Sequence, residues 1–270
     1  MRSSDARALG RLLGFGACAL AGLGLATLVL PLADPAARAR VARRWSRGVL
    51  AALGVDLDTT GTPLAAAMLV ANHVSWLDVI ALSAIQPAAF VAKAELRRWP
   101  LAGTLIVRSG AIFIDRGRMR DILRVNAALR ARLAGGCTVA VFPEATTTDG
   151  AAVAPFRNAL VQAAIDAGAR VQPVAIAYVD ALGARAPQAA YCGDTSFWQC
   201  LLAIARADGI RARLDLLPAL EVRTLTRREV GALARTRIAA TLDQTRRQHQ
   251  PALPPEAAPA RAQVTAMTAR

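Results

Sequence analysis

The sequence predicts an α/β protein, a mostly parallel sheet flanked by helices, with an N-terminal membrane-associated helical segment. Three observations lead there. From about Thr60 onward, short apolar runs of strand length alternate with segments of helical periodicity, as in a sheet wound through crossover helices. Ahead of them, Leu12 to Ala33 holds no charged residue. From Gln250 to the end, proline and alanine dominate, a composition that cannot bury enough surface to fold. The expected organisation is a membrane anchor with a basic interfacial helix over 1–56, a folded domain over 57–248, and a disordered tail over 249–270.

The uncharged run is long enough to cross or deeply enter a bilayer, which takes about 20 residues. Arg2, Arg7 and Arg11 precede it, as in a secretory signal. Its length argues otherwise, and so do Arg38, Arg40, Arg43, Arg44 and Arg47 directly after it, which oppose translocation. A retained anchor with the folded domain on the cytoplasmic side follows. Since both flanks are basic, a re-entrant insertion fits as well as a full span. Asp34-Pro35 then opens a helix that ends at Gly54, with Val41, Trp45, Val49, Leu50 and Leu53 near one face and arginines on the other. That face pattern suits a helix on anionic headgroups, or one packed on the domain.

Strands are expected at Ala67–Val70, Ala89–Ala92, Ala111–Ile114, Thr138–Phe142, Val171–Tyr178 and Arg213–Leu217. Helices are expected at Ser75–Ile85, at Glu95–Val107 with a break at Pro100, from Met119 to Gly135-Gly136, and from Asn158 to Ala167. A last one, capped by Thr226-x-x-Glu229, runs to about Arg247. Pro173 inside a strand pattern implies a sheet edge or a bulge.

Composition narrows the partners. Against 19 acidic residues stand 33 basic ones, a formal charge of +14, and Lys93 is the single lysine. Such a charge points to nucleic acid or an anionic lipid surface. Aromatic residues are only 4% and no nucleic-acid-binding signature is present, while 54% of residues are hydrophobic. Membrane lipid is the expected partner, not nucleic acid. Cys18, Cys137, Cys192 and Cys200 form neither a CxxC pair nor a zinc pattern with the two histidines, so no metal site and no disulfide framework are expected. Cys18 and Cys137 read as small apolar filler.

Chemistry concentrates in Asn72-His73-Val74-Ser75-Trp76-Leu77-Asp78, between a buried strand and a helix. An unperturbed imidazole titrates near pH 6.5, so His73 suits a general base, and an Asp accepting its other ring N–H would fix the tautomer. Ser75-x-x-Asp78 is equally a capping box. A serine-hydrolase reading finds no G-x-S-x-G elbow. A non-enzymatic membrane binder would work without His73.

Asn72-His73-x4-Asp78 resembles the first motif of the glycerolipid acyltransferases, the family of the bacterial 1-acylglycerol-3-phosphate acyltransferases. Three further blocks of that family follow in order between Ala67 and Tyr178. Gly110–Arg118 resembles the second, and Val141-Phe142-Pro143-Glu144-Ala145-Thr146-Thr147 the third, usually F-P-E-G-T-R-S. Val171–Ile176, with its internal proline, resembles the fourth. Ala145 stands in place of the glycine and Thr147 in place of the arginine.

The resemblance implies a catalytic pair of His73 and Asp78. It implies acceptor phosphate on Arg116, with Gly117 letting the backbone approach, substrate contacts from Asn72 and Thr146, Lys93 on a phosphate or in a salt bridge with a neighbouring acid, and Glu144 binding the acceptor's glycerol or shaping the site. Pro143 and Pro173 would shape the site. The implied fold is glycerol-3-phosphate acyltransferase-like, and the implied reaction is acyl transfer to lysophosphatidate from acyl-CoA or acyl-carrier protein. No cofactor is needed, and the place is the bacterial cytoplasmic membrane. The lost motif-three arginine keeps another acceptor open, such as lyso-ornithine lipid.

Overall fold

The computed structural model of the protein describes residues 3–115 and 118–249. Of the tail expected over 249–270, His249 ends the last helix and 250–270 lie outside the described residues, as do Arg116 and Gly117. Helix α1 (Ser3–Gly24) runs on into a π-helical stretch, Leu25–Val29. Then come α2 (Pro35–Leu53), β1 (Val55–Thr60), β2 (Met68–Ala71), α3 (Leu77–Ile85), β3 (Ala89–Lys93), α4 (Ala102–Arg108), β4 (Ile112–Ile114) and α5 (Met119–Ala134). The chain continues as β5 (Val139–Val141), α6 (Gln162–Asp166), β6 (Val171–Val179), α7 (Phe197–Arg206), β7 (Ile210–Leu216) and α8 (Arg227–His249).

The seven strands form one sheet in the order β1-β7-β6-β2-β5-β3-β4. Among the strand pairs of the described residues, only β6–β7 is antiparallel. Strand β2 is buried on both faces, which is why its sequence is apolar without alternation. Leu69 joins the layer formed by α2, α3 and α7 through Leu53, Leu82 and Ile204. Met68 and Val70 join the opposite layer, formed by α5, α6 and α8 through Leu129, Ala163 and Val230. Each such fully buried side chain contributes about 1.5–3 kcal/mol, so the two layers fix the register of the strand that leads to the site.

Helix α2 starts and stops as its sequence dictates. The Asp34 carboxylate accepts from Ala37 N at 2.7 Å, Pro35 occupies the first turn, and Gly54 takes the left-handed conformation (φ 69°) that ends it. Residues 4–29 are long and apolar enough to cross a membrane by length and composition. They do not stand clear of the domain. α1 runs antiparallel to α2, with Gly14 beside Ala52 and Gly22 beside the Trp45 ring, whose Nε1 donates to Cys18 O at 2.8 Å. A Cβ at Gly22 would come within 2.5 Å of that nitrogen, so glycine is what lets the helices close. At the other end of α1, Arg11 donates to Ala205 O (3.2 Å) and Ala207 O (2.7 Å), capping α7, and Arg7 pairs with Asp208.

The structure departs from the sequence reading in three places, and at Pro173 it takes the bulge rather than the edge. β1 was not expected: Val55 and Leu57 alternate with Asp56 and Asp58, and an edge strand tolerates such exposed acids. α7 was not expected either, although Ser196 and Gln199 form its capping box. Pro173 is not at an edge, because β6 lies between β7 and β2. Its carbonyl accepts from Leu217 N, so its missing N–H would face the same side. There the β7 chain carries one extra residue between the Leu216–Val174 and Leu220–Val171 pairs, which is the bulge. Finally, Cys137 is exposed, because it still belongs to the turn after Gly135-Gly136.

Candidate active site

In an open parallel sheet, ligands meet the loops at the carboxyl ends of the strands. β2 delivers His73 there, and the loop after β5 closes over it. As β2 ends, Asn72 makes two bonds across to β6: its amide donates to Ile176 O (2.9 Å) and accepts from Ile176 N (2.8 Å). Asn72 was expected at substrate, but both ends of its buried amide are committed, so it anchors the strand end instead.

His73 is then held on both sides of its backbone. Its N–H donates to Glu144 Oε1 at 2.7 Å, and its carbonyl accepts from Thr148 N at 2.9 Å. The imidazole stacks on Phe142, centroids 4.1 Å apart and planes 14° apart. Its Nδ1 lies 2.7 Å from Asp78 Oδ2, with 19% of the side chain exposed. A proton on Nδ1, donated to the carboxylate, leaves the lone pair on Nε2. The fold thus offers a basic nitrogen on an oriented ring that solvent can reach.

Asp78 is fully buried. Besides His73, its Oδ2 accepts from Val74 N (2.8 Å) and Ser75 N (3.0 Å), and its Oδ1 accepts from the Tyr178 hydroxyl (2.7 Å). One carboxylate thus closes the turn before α3, as the capping reading expects, and also reaches the imidazole.

Glu144 gives both oxygens to backbone, Oε1 to His73 N and Oε2 to Ala154 N (2.9 Å). Burial pushes its carboxyl up, and the two N–H donors pull it back only in part. Of its two expected parts, binding acceptor or shaping the site, this geometry serves the second. Pro143 is buried and its carbonyl accepts from Arg157 N at 2.8 Å, while Thr146 is exposed on the same loop. The Thr147 hydroxyl bonds Tyr191 O. Lys93 ends β3 exposed and in no ion pair among the described residues. Arg116 and Gly117, between β4 and α5 in the sequence, lie outside the described residues.

Ala145, in the place of the motif's glycine, has φ 60°. A side chain in that left-handed region costs about 1–2 kcal/mol, against a glycine entropy cost of about 0.4–1. Ala145→Gly is therefore expected to raise stability by up to about 1 kcal/mol. Denaturant unfolding checks this; a lower midpoint would show that the loop prefers the methyl group.

Sequence reasoning missed Tyr178 and the Ile176 backbone. Tyr178 is one of only two tyrosines, and a buried tyrosine hydroxyl generally finds a partner. That is a signal, but it does not name Asp78.

The comparisons fit this geometry. A family model described as "Acyltransferase" matches residues 59–177. The 1-acyl-sn-glycerol-3-phosphate acyltransferase of Neisseria meningitidis serogroup B is 40% identical over 187 residues, covering 68% of this chain and 72% of the relative. The chain belongs to the acyltransferase family. Another member, the lyso-ornithine lipid O-acyltransferase of Pseudomonas aeruginosa, is 38% identical over 231 residues, covering 83% of this chain and 88% of the relative. The crystal structure of the 1-acyl-sn-glycerophosphate acyltransferase PlsC from Thermotoga maritima superposes with a TM-score of 0.67 at 20% identity, covering 89% of this chain and 97% of that one. It shares the fold. This acyltransferase thus has a mostly parallel sheet flanked by helices, with an apolar N-terminal helix of membrane-spanning length.

Proposed function

We propose that this acyltransferase moves a fatty acyl group from a thioester, acyl-CoA or acyl-carrier protein, to the free hydroxyl of 1-acylglycerol-3-phosphate. The observation that carries the chemistry is the partly exposed His73 ring held by buried Asp78. His73 Nε2 takes the hydroxyl proton as the oxygen attacks the thioester carbonyl. The tetrahedral intermediate collapses, the C–S bond breaks, and the imidazolium returns the proton to the departing thiolate. Asp78 steadies the imidazolium in between. Arg116 would take the acceptor's phosphate and Lys93 would add charge, while Thr146 lines the loop and Glu144 and Pro143 shape it.

The lipid substrates reside in a bilayer, and the α1–α2 hairpin suits one. Leu9, Leu13 and Leu20 are exposed on α1 and Leu28 on the π-helical stretch after it, and Arg38, Arg40, Arg44 and Arg47 on α2. Because α1 is tied to the domain along its length, insertion from one side fits better than a detached span. The side is the cytoplasmic face of a bacterial inner membrane.

One observation favours a second acceptor, lyso-ornithine lipid. Thr147 stands where the motif's arginine would be, and its hydroxyl is committed to Tyr191 O, so it offers phosphate nothing. The test is thioester consumption by membranes containing the protein, with acyl-CoA and acyl-carrier protein each offered to a panel of lysolipids. Transfer to lysophosphatidate supports the first reading. Transfer only to lyso-ornithine lipid keeps the mechanism and removes the phosphate role of Arg116. No transfer to any lysolipid sinks both.

A further inference from the structure

Beneath the His73–Asp78 pair lies a hydroxyl that the transfer chemistry above leaves unused. Tyr178, only 3% exposed near the end of β6, donates to Asp78 Oδ1 at 2.7 Å. The carboxylate is thereby divided. Oδ2 serves His73 and the turn, and Oδ1 serves Tyr178. Two residues earlier on the same face of the same strand, the Ile176 backbone holds Asn72. A single strand thus grips both ends of the Asn72–Asp78 segment.

We propose that Tyr178 is a positioning residue for acyl transfer: its hydroxyl sets the rotation of the Asp78 carboxylate and takes up part of its charge. An aspartate's terminal torsion is broad and its two oxygens are equivalent, so something must choose which meets the imidazole. The N–H groups of Val74 and Ser75 fix Oδ2 in the turn; only a donor on Oδ1 fixes the carboxylate plane. Burial first, and then the neighbouring Asp78 charge, pushes the phenol well above its ordinary range, so the hydroxyl remains a donor wherever the enzyme works. The other titratable groups facing the pair are Glu144, from the loop after β5, and Cys200, from α7, with Cys192 beside it.

The inference rests on the proposed role of His73, and Tyr178→Phe tests it because the ring stays and only the oxygen leaves. Steady-state kinetics with the thioester and lysolipid pair found above should give kcat about 10–100-fold lower, the scale of a misplaced catalytic group, with both KM values within about twofold. The acid limb of the kcat profile should move to higher pH, because a carboxylate no longer sharing its charge holds the imidazole proton more tightly. In an Asp78→Asn background the same change should cost less than about twofold, because its partner is already altered. Cys200→Ala disturbs the same pocket without touching Asp78, and should leave the limb in place.

Wild-type kcat and acid limb in Tyr178→Phe would overturn the proposal, and so would an equal loss in the Asp78→Asn background. If Tyr178→Phe does not fold, 3-fluorotyrosine at position 178 replaces it. The more acidic phenol should move the limb to lower pH, and an unmoved limb would overturn the proposal. Full activity in His73→Ala would instead defeat the His73 reading itself.

Discussion

His73→Ala is expected to lower acyl transfer by about 10²–10⁴-fold, the range that a positioned general base contributes. The fold should survive. The ring is partly exposed, and its losses are one stacked contact with Phe142 and one hydrogen bond, about 1–2 kcal/mol together. Asp78 Oδ2 keeps its two backbone donors, so no buried charge is stranded. Thioester consumption with purified enzyme in lipid vesicles, beside a thermal melt, separates chemistry from stability. A folded variant with wild-type turnover would show that another group takes the proton.

Asp78 should behave differently, because it is bonded on every side. Asp78→Asn keeps an acceptor for the turn and can present its amide to the Tyr178 oxygen, which also accepts. The fold is expected to hold, while kcat drops by about 10²–10⁴-fold as the imidazolium loses its counter-charge. Asp78→Ala strands the N–H groups of Val74 and Ser75 and the Tyr178 hydroxyl in a buried site. At roughly 1–3 kcal/mol for each orphaned donor, a loss on the order of 3–5 kcal/mol is expected. Chemical denaturation of the two variants checks the contrast. Equal stability would mean that water or a shifted backbone replaces the carboxylate.

Much of the fold was legible because local pattern and tertiary role coincide. Gly54 ends α2 wherever that helix packs, and the apolar run Met68–Ala71 belongs in the middle of a parallel sheet. β1 was hidden because two aspartates in an edge strand read as loop, and α7 because its capping box follows a stretch holding Gly183, Pro187, Gly193 and Asp194, which reads as loop. The His73–Asp78 pair was visible because five residues of separation span one tight turn, and the motif resemblance singled it out. Asn72 and Glu144 were visible as residues but not as roles: a side chain that bonds backbone 104 or 71 positions away looks like a substrate ligand until the partner strand is in place.

The sequence by itself determined which residues could do the chemistry, the order of most strands and helices, the apolar N-terminal segment and the excess of arginine. These depend on side-chain type and short-range periodicity, which each segment carries alone. Only the tertiary structure decided how the His73–Asp78 pair is supported. Tyr178 under Asp78, Glu144 behind the His73 backbone, the bulge opposite Pro173 and the packing of α1 on α7 each join segments far apart in the chain. Such contacts exist only once the sheet has fixed its register.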